Sequence, residues 1–492
     1  MVKDNFRVIV IGAGMAGILA GIKLKEAGYS NVVLYEKADR VGGTWRENTY
    51  PGLTCDVPSH HYTYTFARNP DWSRHLSGGS EIQAYFEHTT EKYQIDRHIR
   101  FNKEVLEATF NNGRWHVQIS GGSSDQANVL IAATGVLHHP AYPDIKGIEK
   151  FQGDLFHSAR WDHGVPLDGK RVGVIGMGST GVQIISDLSA RGINVSHFVR
   201  NPQWIMPVEN GYFSEEERLA FRTDPQILSD SMDFEGYTAA VERYTEALIS
   251  ADSEGGKAMA QACLDNLEQN VFEPGLKEQL RPDHQALCKR LIFSPDYYRA
   301  IQRVNAHLVR SDITRIEATG IRTEDDVLHE VDIIALATGF RSDQFMRPMK
   351  VSGRDGADLD ALWSSRPVAY LAISMPNFPN FFMLNGPNGP VGNFSLIDIA
   401  EHQWGYVEQL LQQLSSGNYN EISPSEHAMR RFDAERVAAA KNTVWYTGGC
   451  NSWYLDESGV PASWPWNYSR FVDEMREPQW ADFELIKRSG HG

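Results

Sequence analysis

Cysteine is scarce. The 492-residue chain has four, Cys55, Cys263, Cys288 and Cys450, and no two of them stand at C-x-x-C or any other close spacing. A disulfide scaffold and a zinc ribbon both need clustered cysteines, so neither is expected, and a reducing, intracellular setting fits best. Excess positive charge is missing as well. With 47 Lys+Arg against 63 Asp+Glu the formal net charge is −16, which argues against binding nucleic acid or an anionic membrane through bulk charge. Nor is there a membrane-length apolar run at the start of the chain. Residues 8–22 are uninterrupted in apolar and glycine residues, but a span needs about 20 residues, and no basic leader or small-residue cleavage site accompanies the run. The expectation is a soluble, cytoplasmic protein with no membrane span and no nucleic-acid partner.

What remains is an ordinary globular mix. The hydrophobic fraction is 41% and the charged fraction 22%, which sets the chain apart from disordered and fibrous classes. Its length predicts two to four domains of about 150 residues. Glycine, at 42 residues, is the one modest excess, and much of its meaning lies in two places. Residues 7–11 (RVIVI) read as a strand buried on both faces of a parallel sheet. Gly12, Gly14 and Gly17 follow in G-x-G-x-x-G spacing, then a helix, then a second strand at 32–35 (VVLY) ending at Glu36. The pattern returns at 171–200, with Gly176, Gly178 and Gly181 at the turn and Arg200 at the end of its second strand. Such a turn needs one glycine for the bend, one for backbone approach to a pyrophosphate and one for close helix–strand packing.

The strand-end residue separates the two units chemically. Glu36 can accept hydrogen bonds from a ribose diol, as in FAD or NAD, whereas Arg200 can pair with a 2′-phosphate, which predicts NADPH. Two nucleotides in one chain imply electron traffic from NADPH to a flavin. The fold class expected is α/β: two Rossmann-like dinucleotide-binding domains, the second inserted into the first, with a helical insert. Two strands ending in near-identical turns, 130–135 (LIAATG) and 333–339 (IIALATG), suggest that the chain leaves one domain and re-enters it. The expected division is an FAD domain from 1–145 and 330–492, and an NADPH domain at 150–328. Within the latter, 207–285 is rich in Glu, Ala, Leu and Gln and reads as helices. Glycines and prolines at 386–392 suggest a mobile lid. The last 48 residues hold five of the twelve tryptophans, more aromatic surface than a disordered tail carries.

A two-nucleotide flavoprotein is a disulfide reductase, a dehydrogenase or an oxygenase. The reductase needs a redox-active cysteine pair, and no cysteine has a neighbour in sequence; Cys55 and Cys288 read as small apolar fillers. Three local motifs bear on the rest. In 42–56 (GGTWRENTYPGLTCD), Gly43 and Gly52 allow backbone to lie against a flat ring, Trp45 and Tyr50 can cover it, and Asp56 brings a carboxylate to its edge. The second, 151–162 (FQGDLFHSARWD), falls at the passage between domains, where His157 reads as a hinge residue. The third is 288–292 (CKRLI).

On these residues the chain resembles the type I Baeyer–Villiger monooxygenases of the class B flavoprotein monooxygenases. Phe151, Gly153, His157, Trp161 and Asp162 fill every fixed position of F-x-G-x-x-x-H-x-x-x-W-(P/D). Gly42, Gly43, Trp45, Tyr50, Pro51, Gly52 and Asp56 fill the family's other motif. The resemblance implies an NADPH- and O2-dependent enzyme that converts ketones to esters or lactones through a C4a-peroxyflavin and a Criegee adduct. It implies catalytic roles for Arg290, as the cation beside the flavin, and for Asp56, which orients it. Implied FAD contacts are Gly12, Gly14, Ala16 and Gly17, then Glu36, Lys37, Gly43, Thr44, Trp45 and Asp56, then Tyr62, Val105 and Leu396. Implied NADP contacts are Thr54, Gly176, Gly178, Ser179, Thr180, Gly181 and Gln183, then Arg200, Asn201, Lys289, Arg290 and Trp453. A flavin-dependent N- or S-oxygenase and a non-catalytic nucleotide-binding paralogue stay open as alternatives, the former disfavoured by Trp161, Asp162 and Arg290. No metal is expected.

Overall fold

The computed structural model describes residues 5–250, 252–392 and 394–487. Residues 1–4 and 488–492 of the expected first domain therefore lie outside the described residues, as does residue 393 beside the glycine–proline segment.

Two five-stranded parallel sheets carry the molecule. The first runs Phe381–Met383, Val129–Ala132, Val8–Ile11, Val32–Tyr35, Ile99–Arg100. The second runs Asp154–His157, Ile333–Leu336, Arg171–Ile175, Asn194–Phe198, Ala306–Val309. Their central strands are unbroken apolar runs, buried at every position in Val8–Ile11, Val129–Ala132 and Ile333–Leu336, as expected for strands covered on both faces.

The two sheets are built alike. In each, the strand that precedes the glycine turn lies between a strand ending in the charged residue and a strand ending in Ala-Thr-Gly. This corrects the expected boundary: the strand Ile333–Leu336 pairs with Arg171–Ile175 in the second sheet, so the chain returns to the first sheet after 336, not at 330. The two Ala-Thr-Gly turns are matching parts of two like units. They look like an exit and a re-entry in sequence because hydrophobicity and turn chemistry carry no information about which sheet a strand joins.

The same backbone contact locks both units. A Cβ on Gly17 would lie 1.9 Å from the Gly12 carbonyl oxygen, and one on Gly181 would lie 2.0 Å from that of Gly176. The third glycine is therefore a packing requirement, and it presses the helices Met15–Glu26 and Ser179–Ala190 onto their strands. Gly178 differs, with nothing inside 4 Å of the position its Cβ would take.

Among the described residues, 215–280 hold five helices, Glu215–Thr223 to Pro274–Leu280. A short parallel pairing of Ile205–Met206 with Ile292–Phe293 closes the base of this segment. A four-stranded sheet built on Val105–Asn111 and a three-stranded one built on Gly320–Thr323 lie beside the two main sheets in sequence. The C-terminal aromatics are ordered: Trp445 and Trp464 are each 1% exposed, and Phe483–Ile486 pairs with Glu421–Pro424. Among the described residues no helix is long and apolar enough to cross a membrane.

Gly181→Ala should destabilise the nucleotide-free protein by about 1–3 kcal/mol through overpacking, while Gly178→Ala should leave its urea midpoint unchanged. Equal midpoints for the two variants would contradict the packing assignment.

Candidate active site

A cavity of about 1240 Å³ opens at the carboxyl ends of both sheets, the place where α/β sheets hold ligands. Both glycine-turn helices point their N-termini into it. Their N-caps, Gly14 and Gly178, carry no side-chain cap, so first-turn N–H groups face the cavity with the positive end of the helix dipole behind them. Among the described residues three buried polar atoms of the lining also lack a partner: Asn385 Oδ1, Ser452 Oγ and His138 Nδ1. A lining of uncapped donors and unpaired polar atoms is chemically suited to a polar, phosphate-bearing ligand.

At one end of the cavity Glu36, only 5% exposed, is held rigidly. It accepts from Ala13 N at 2.7 Å, Ala38 N at 2.9 Å and Arg46 Nη1 at 3.1 Å. At the other end Arg200 and Lys289 line the wall together. Among the described residues neither has a carboxylate within ion-pair distance. The Lys289 ammonium is pulled below its usual range by burial and by the Arg200 charge. The acidic chain thus makes one local positive pole.

The motif at 42–56 bridges the two units rather than serving one. Trp45 Nε1 donates to Tyr62 Oη at 3.0 Å, and both rings line the first unit's side. Tyr50 also lines the cavity and reaches the second unit. Its hydroxyl donates to Gln183 Oε1 at 2.9 Å and accepts from Thr180 Oγ1 at 3.3 Å, and its ring joins the core of the second unit. Gly52 likewise serves the second unit, for a Cβ there would lie 2.4 Å from the Gln183 carbonyl oxygen. Gln183 Nε2 returns a hydrogen bond to Thr54 Oγ1 at 3.0 Å. Helix Ser179–Ala190 therefore packs on Tyr50, Gly52 and Thr54 of this motif.

Asp56 closes this motif and meets Arg290 across 234 residues of sequence. Arg290 Nε and Nη2 both donate to Asp56 Oδ2, at 3.1 and 2.5 Å. Burial works to discharge the guanidinium, but the Asp56 carboxylate and the neighbouring Tyr454 and Tyr244 outweigh it and raise its pKa. The third nitrogen, Nη1, and the Tyr454 hydroxyl both lie against Gly392, so the tyrosine borders the guanidinium on that side. Tyr454 is 2% exposed and stacks on Trp453 at 4.2 Å and on Trp445 at 4.7 Å. Sequence reasoning missed Tyr454 and Tyr244, because neither stands at a spacing that points to Arg290.

Most residues singled out from sequence converge on this cavity. Gly12, Gly14, Ala16, Lys37, Gly43, Thr44, Val105 and Leu396 line the first unit's side; Gly176, Gly178, Ser179, Thr180 and Asn201 line the second's; Trp453, 41% exposed, stands at its edge. Gly17 and Gly181 do not reach the lining, since they pack helix on strand. His157 has no exposed surface and pins the linker: Nδ1 accepts from Ala159 N at 3.1 Å, and Nε2 faces the Gly339 carbonyl at 3.0 Å. Trp161 packs edge-on against Phe156 at 4.7 Å, and Asp162 Oδ1 caps a turn through Gly164 N. The segment 385–392 is a packed wall more than a lid, tied by Asn385 N to Gln403, Asn388 to Ala462 O and Val391 N to Ser463.

The cysteine expectation needs the largest correction. Cys288 and Cys450 are disulfide-bonded, with Cα atoms 5.9 Å apart and 162 residues between them in sequence. Both are buried behind the cavity wall and neither lines it, so the pair does not face a ligand as a reductase's pair must.

Comparison with known proteins agrees with this architecture. Residues 9–214 match the family described as pyridine nucleotide-disulphide oxidoreductase. A Mycobacterium tuberculosis protein described as an uncharacterized monooxygenase is 45% identical over 458 residues, 93% of this chain and 92% of that protein. The Baeyer–Villiger monooxygenase of Streptomyces coelicolor is 35% identical over 491 residues, 99% of this chain and 94% of its own. Among solved structures, OTEMO in complex with FAD and NADP superposes with a TM-score of 0.87 at 27% identity, covering 98% of this chain and all of that one. Cyclohexanone monooxygenase from Rhodococcus, bound to NADP+, gives 0.85 at 29% identity, covering 98% and 99%. The chain belongs to the flavoprotein monooxygenases, and within them to the Baeyer–Villiger monooxygenase family.

Removing Asp56 leaves a part-buried guanidinium without its counter-charge. Asp56→Ala should therefore lower the stability of the nucleotide-free protein by about 1–3 kcal/mol, and the double variant with Arg290→Met should recover part of that loss. Strictly additive losses in urea unfolding would show the pair to be uncoupled.

Proposed function

We propose that this chain is an FAD-dependent monooxygenase that uses NADPH and O2 to convert ketones to esters or lactones. The observation that carries the reading is the Arg290 guanidinium, anchored by Asp56 at the junction of two nucleotide-binding units, with one nitrogen left outside the carboxylate pair. FAD is assigned to the unit built on the first sheet. There the uncapped helix at Gly14 meets a pyrophosphate, and Glu36 takes a ribose diol. NADPH is assigned to the second, where the helix at Gly178 meets its pyrophosphate and Arg200 with Lys289 meets its 2′-phosphate. Bound FAD, once reduced by NADPH, supplies the activation of dioxygen that no side chain can supply.

What the chain's own residues contribute is electrostatic and positional. Conversion of a ketone to an ester puts negative charge on the carbonyl oxygen as the new C–O bond forms. A fixed guanidinium stabilises that charge more than it stabilises the neutral ketone, so it lowers the barrier. Asp56 keeps the arginine in place while drawing its charge through one carboxylate oxygen, so Nη1 keeps its positive end. Tyr454 bounds the other side of the guanidinium, and Trp453, stacked on it, shields the cavity mouth from water. Support for the substrate class comes from the relatives described as Baeyer–Villiger monooxygenases and from the structure of cyclohexanone monooxygenase with cyclohexanone bound.

Arg290→Ala should still oxidise NADPH and release hydrogen peroxide, with ester formation reduced by about 10²–10³-fold. Chromatography of products from linear, cyclic and aryl ketones checks this, and ester yield close to the parent's would remove Arg290 from the role. With a thioether in the same assay, a sulfoxide formed where every ketone fails would favour heteroatom oxygenation instead. Arg200→Ala should raise the Michaelis constant for NADPH by about tenfold or more and leave that for NADH nearly unchanged. Equal changes for both would mean that Arg200 does not read the phosphate.

A further inference from the structure

Three groups outside the cavity form a site that the reaction above does not use. Cys288 is fully buried and Cys450 is 8% exposed. The ligand-type atoms of His284, Cys288 and Cys450 all lie within 4.8 Å of one another. His284 has a side chain only 10% exposed, its Nδ1 lies 3.4 Å from Asp283 Oδ1, and its Nε2 is buried without a partner among the described residues. With Nδ1–H turned to Asp283, Nε2 is left as an acceptor beside the two sulfurs. Burial, with the charge of Lys289, holds this imidazole in its neutral form.

The location ties the sulfurs to the cavity from behind. Cys288 immediately precedes Lys289 and Arg290, and Cys450 precedes Asn451, Ser452 and Trp453; those five residues all line the cavity. Leu287, just before Cys288, holds a left-handed backbone at φ 70° while 1% exposed, so the loop is over-determined by its surroundings. Gly448 packs so closely on Cys288 that a Cβ there would lie 2.5 Å from the cysteine Cβ. A bond between the sulfurs therefore joins the wall segment bearing Arg290 to the segment bearing Trp453 and Tyr454.

We propose that Cys288 and Cys450 are a reversible, hydroperoxide-responsive dithiol site, with His284 as proton acceptor, whose oxidised form locks the Arg290 wall to the Trp453 segment. Hydrogen peroxide is the two-electron oxidant, and it is produced next to this wall whenever oxygen activation runs without a substrate. Nε2 of His284 takes the Cys450 thiol proton, and the sulfur attacks one peroxide oxygen. The O–O bond breaks, the imidazolium returns its proton to the departing hydroxide as a first water, and a sulfenic acid remains. The Cys288 sulfur attacks that sulfur, the S–S bond forms, the S–O bond breaks, and its thiol proton leaves in a second water. Two thiols and one peroxide thus become one disulfide and two waters. Excess peroxide, the product of futile turnover, would hold the cavity closed around its nucleotide. This last consequence rests on NADP occupying the second unit; the thiol chemistry does not.

The experiment uses the full-length protein loaded with FAD. After reduction with dithiothreitol and removal of the reductant, it is treated with graded hydrogen peroxide, alkylated under denaturing conditions, and mapped by mass spectrometry without reduction. A Cys288–Cys450 linked peptide should accumulate while Cys55 and Cys263 stay alkylatable. NADP+ dissociation, followed by stopped flow with no ketone present, should be about five-fold slower in the oxidised protein. Dithiothreitol should restore the faster rate, and Cys450→Ser should show it under both conditions, with Cys288→Ala as the second variant. Absence of the linked peptide overturns the site. A linked peptide with unchanged NADP+ release overturns the lock. Zinc that copurifies with the parent protein and is lost in Cys450→Ser would make the trio a metal site and also overturn the proposal.

Discussion

A charged guanidinium with most of its surface withdrawn from water is costly unless something holds its charge, and the contact between Arg290 and Asp56 meets that constraint. Much of the site follows from it. The segment at 42–56 must cross from the first unit to the second to deliver Asp56, and it does so by packing Tyr50 and Gly52 on helix Ser179–Ala190. The loop at 288–290 must come forward to deliver Arg290, and it is tied behind by Cys288 and held in front by Tyr454. Weakening the pair would free two segments from different parts of the chain at once.

The second organising fact is duplication with divergence. Each unit repeats the same helix–strand contact, in which a glycine Cβ would collide with the carbonyl of the first glycine in the turn. The two glycine turns thereby share one packing contact, and the units differ in the side chain at the strand end. Glu36, fixed by two backbone N–H groups, offers a carboxylate at one strand end; Arg200, joined by Lys289, offers cations at the other. An acidic chain can hold polyanions in this way because short-range N–H donors and paired cations act within a few ångströms, where the global charge is screened by water and salt.

Much of the fold was legible before any coordinates. Parallel strands announced themselves as short, wholly apolar runs, and the glycine spacing marked both turns, because burial on both faces and close backbone approach each demand specific residue types. The cavity lining was legible to the same extent, since Asp56, Lys289, Arg200 and Trp453 sit in or beside recognisable motifs. Tyr454 was not legible: a tyrosine that borders a distant arginine leaves no local periodicity. Helices at about 207–285 were expected from composition, but their closure by the pairing of Ile205 with Ile292 was not.

By itself the sequence determined which segments are strands, which turns can approach a phosphate, and which charge stands at each strand end, since all three depend on neighbours a few residues apart. Tertiary structure alone decided that Ile333–Leu336 joins the second sheet, that Tyr50 belongs to the domain interface, and that Cys288 meets Cys450. Each of those is a contact between residues far apart in the chain. Such contacts are set by how whole layers pack to bury their apolar faces, and a local pattern carries no record of the partner it will meet.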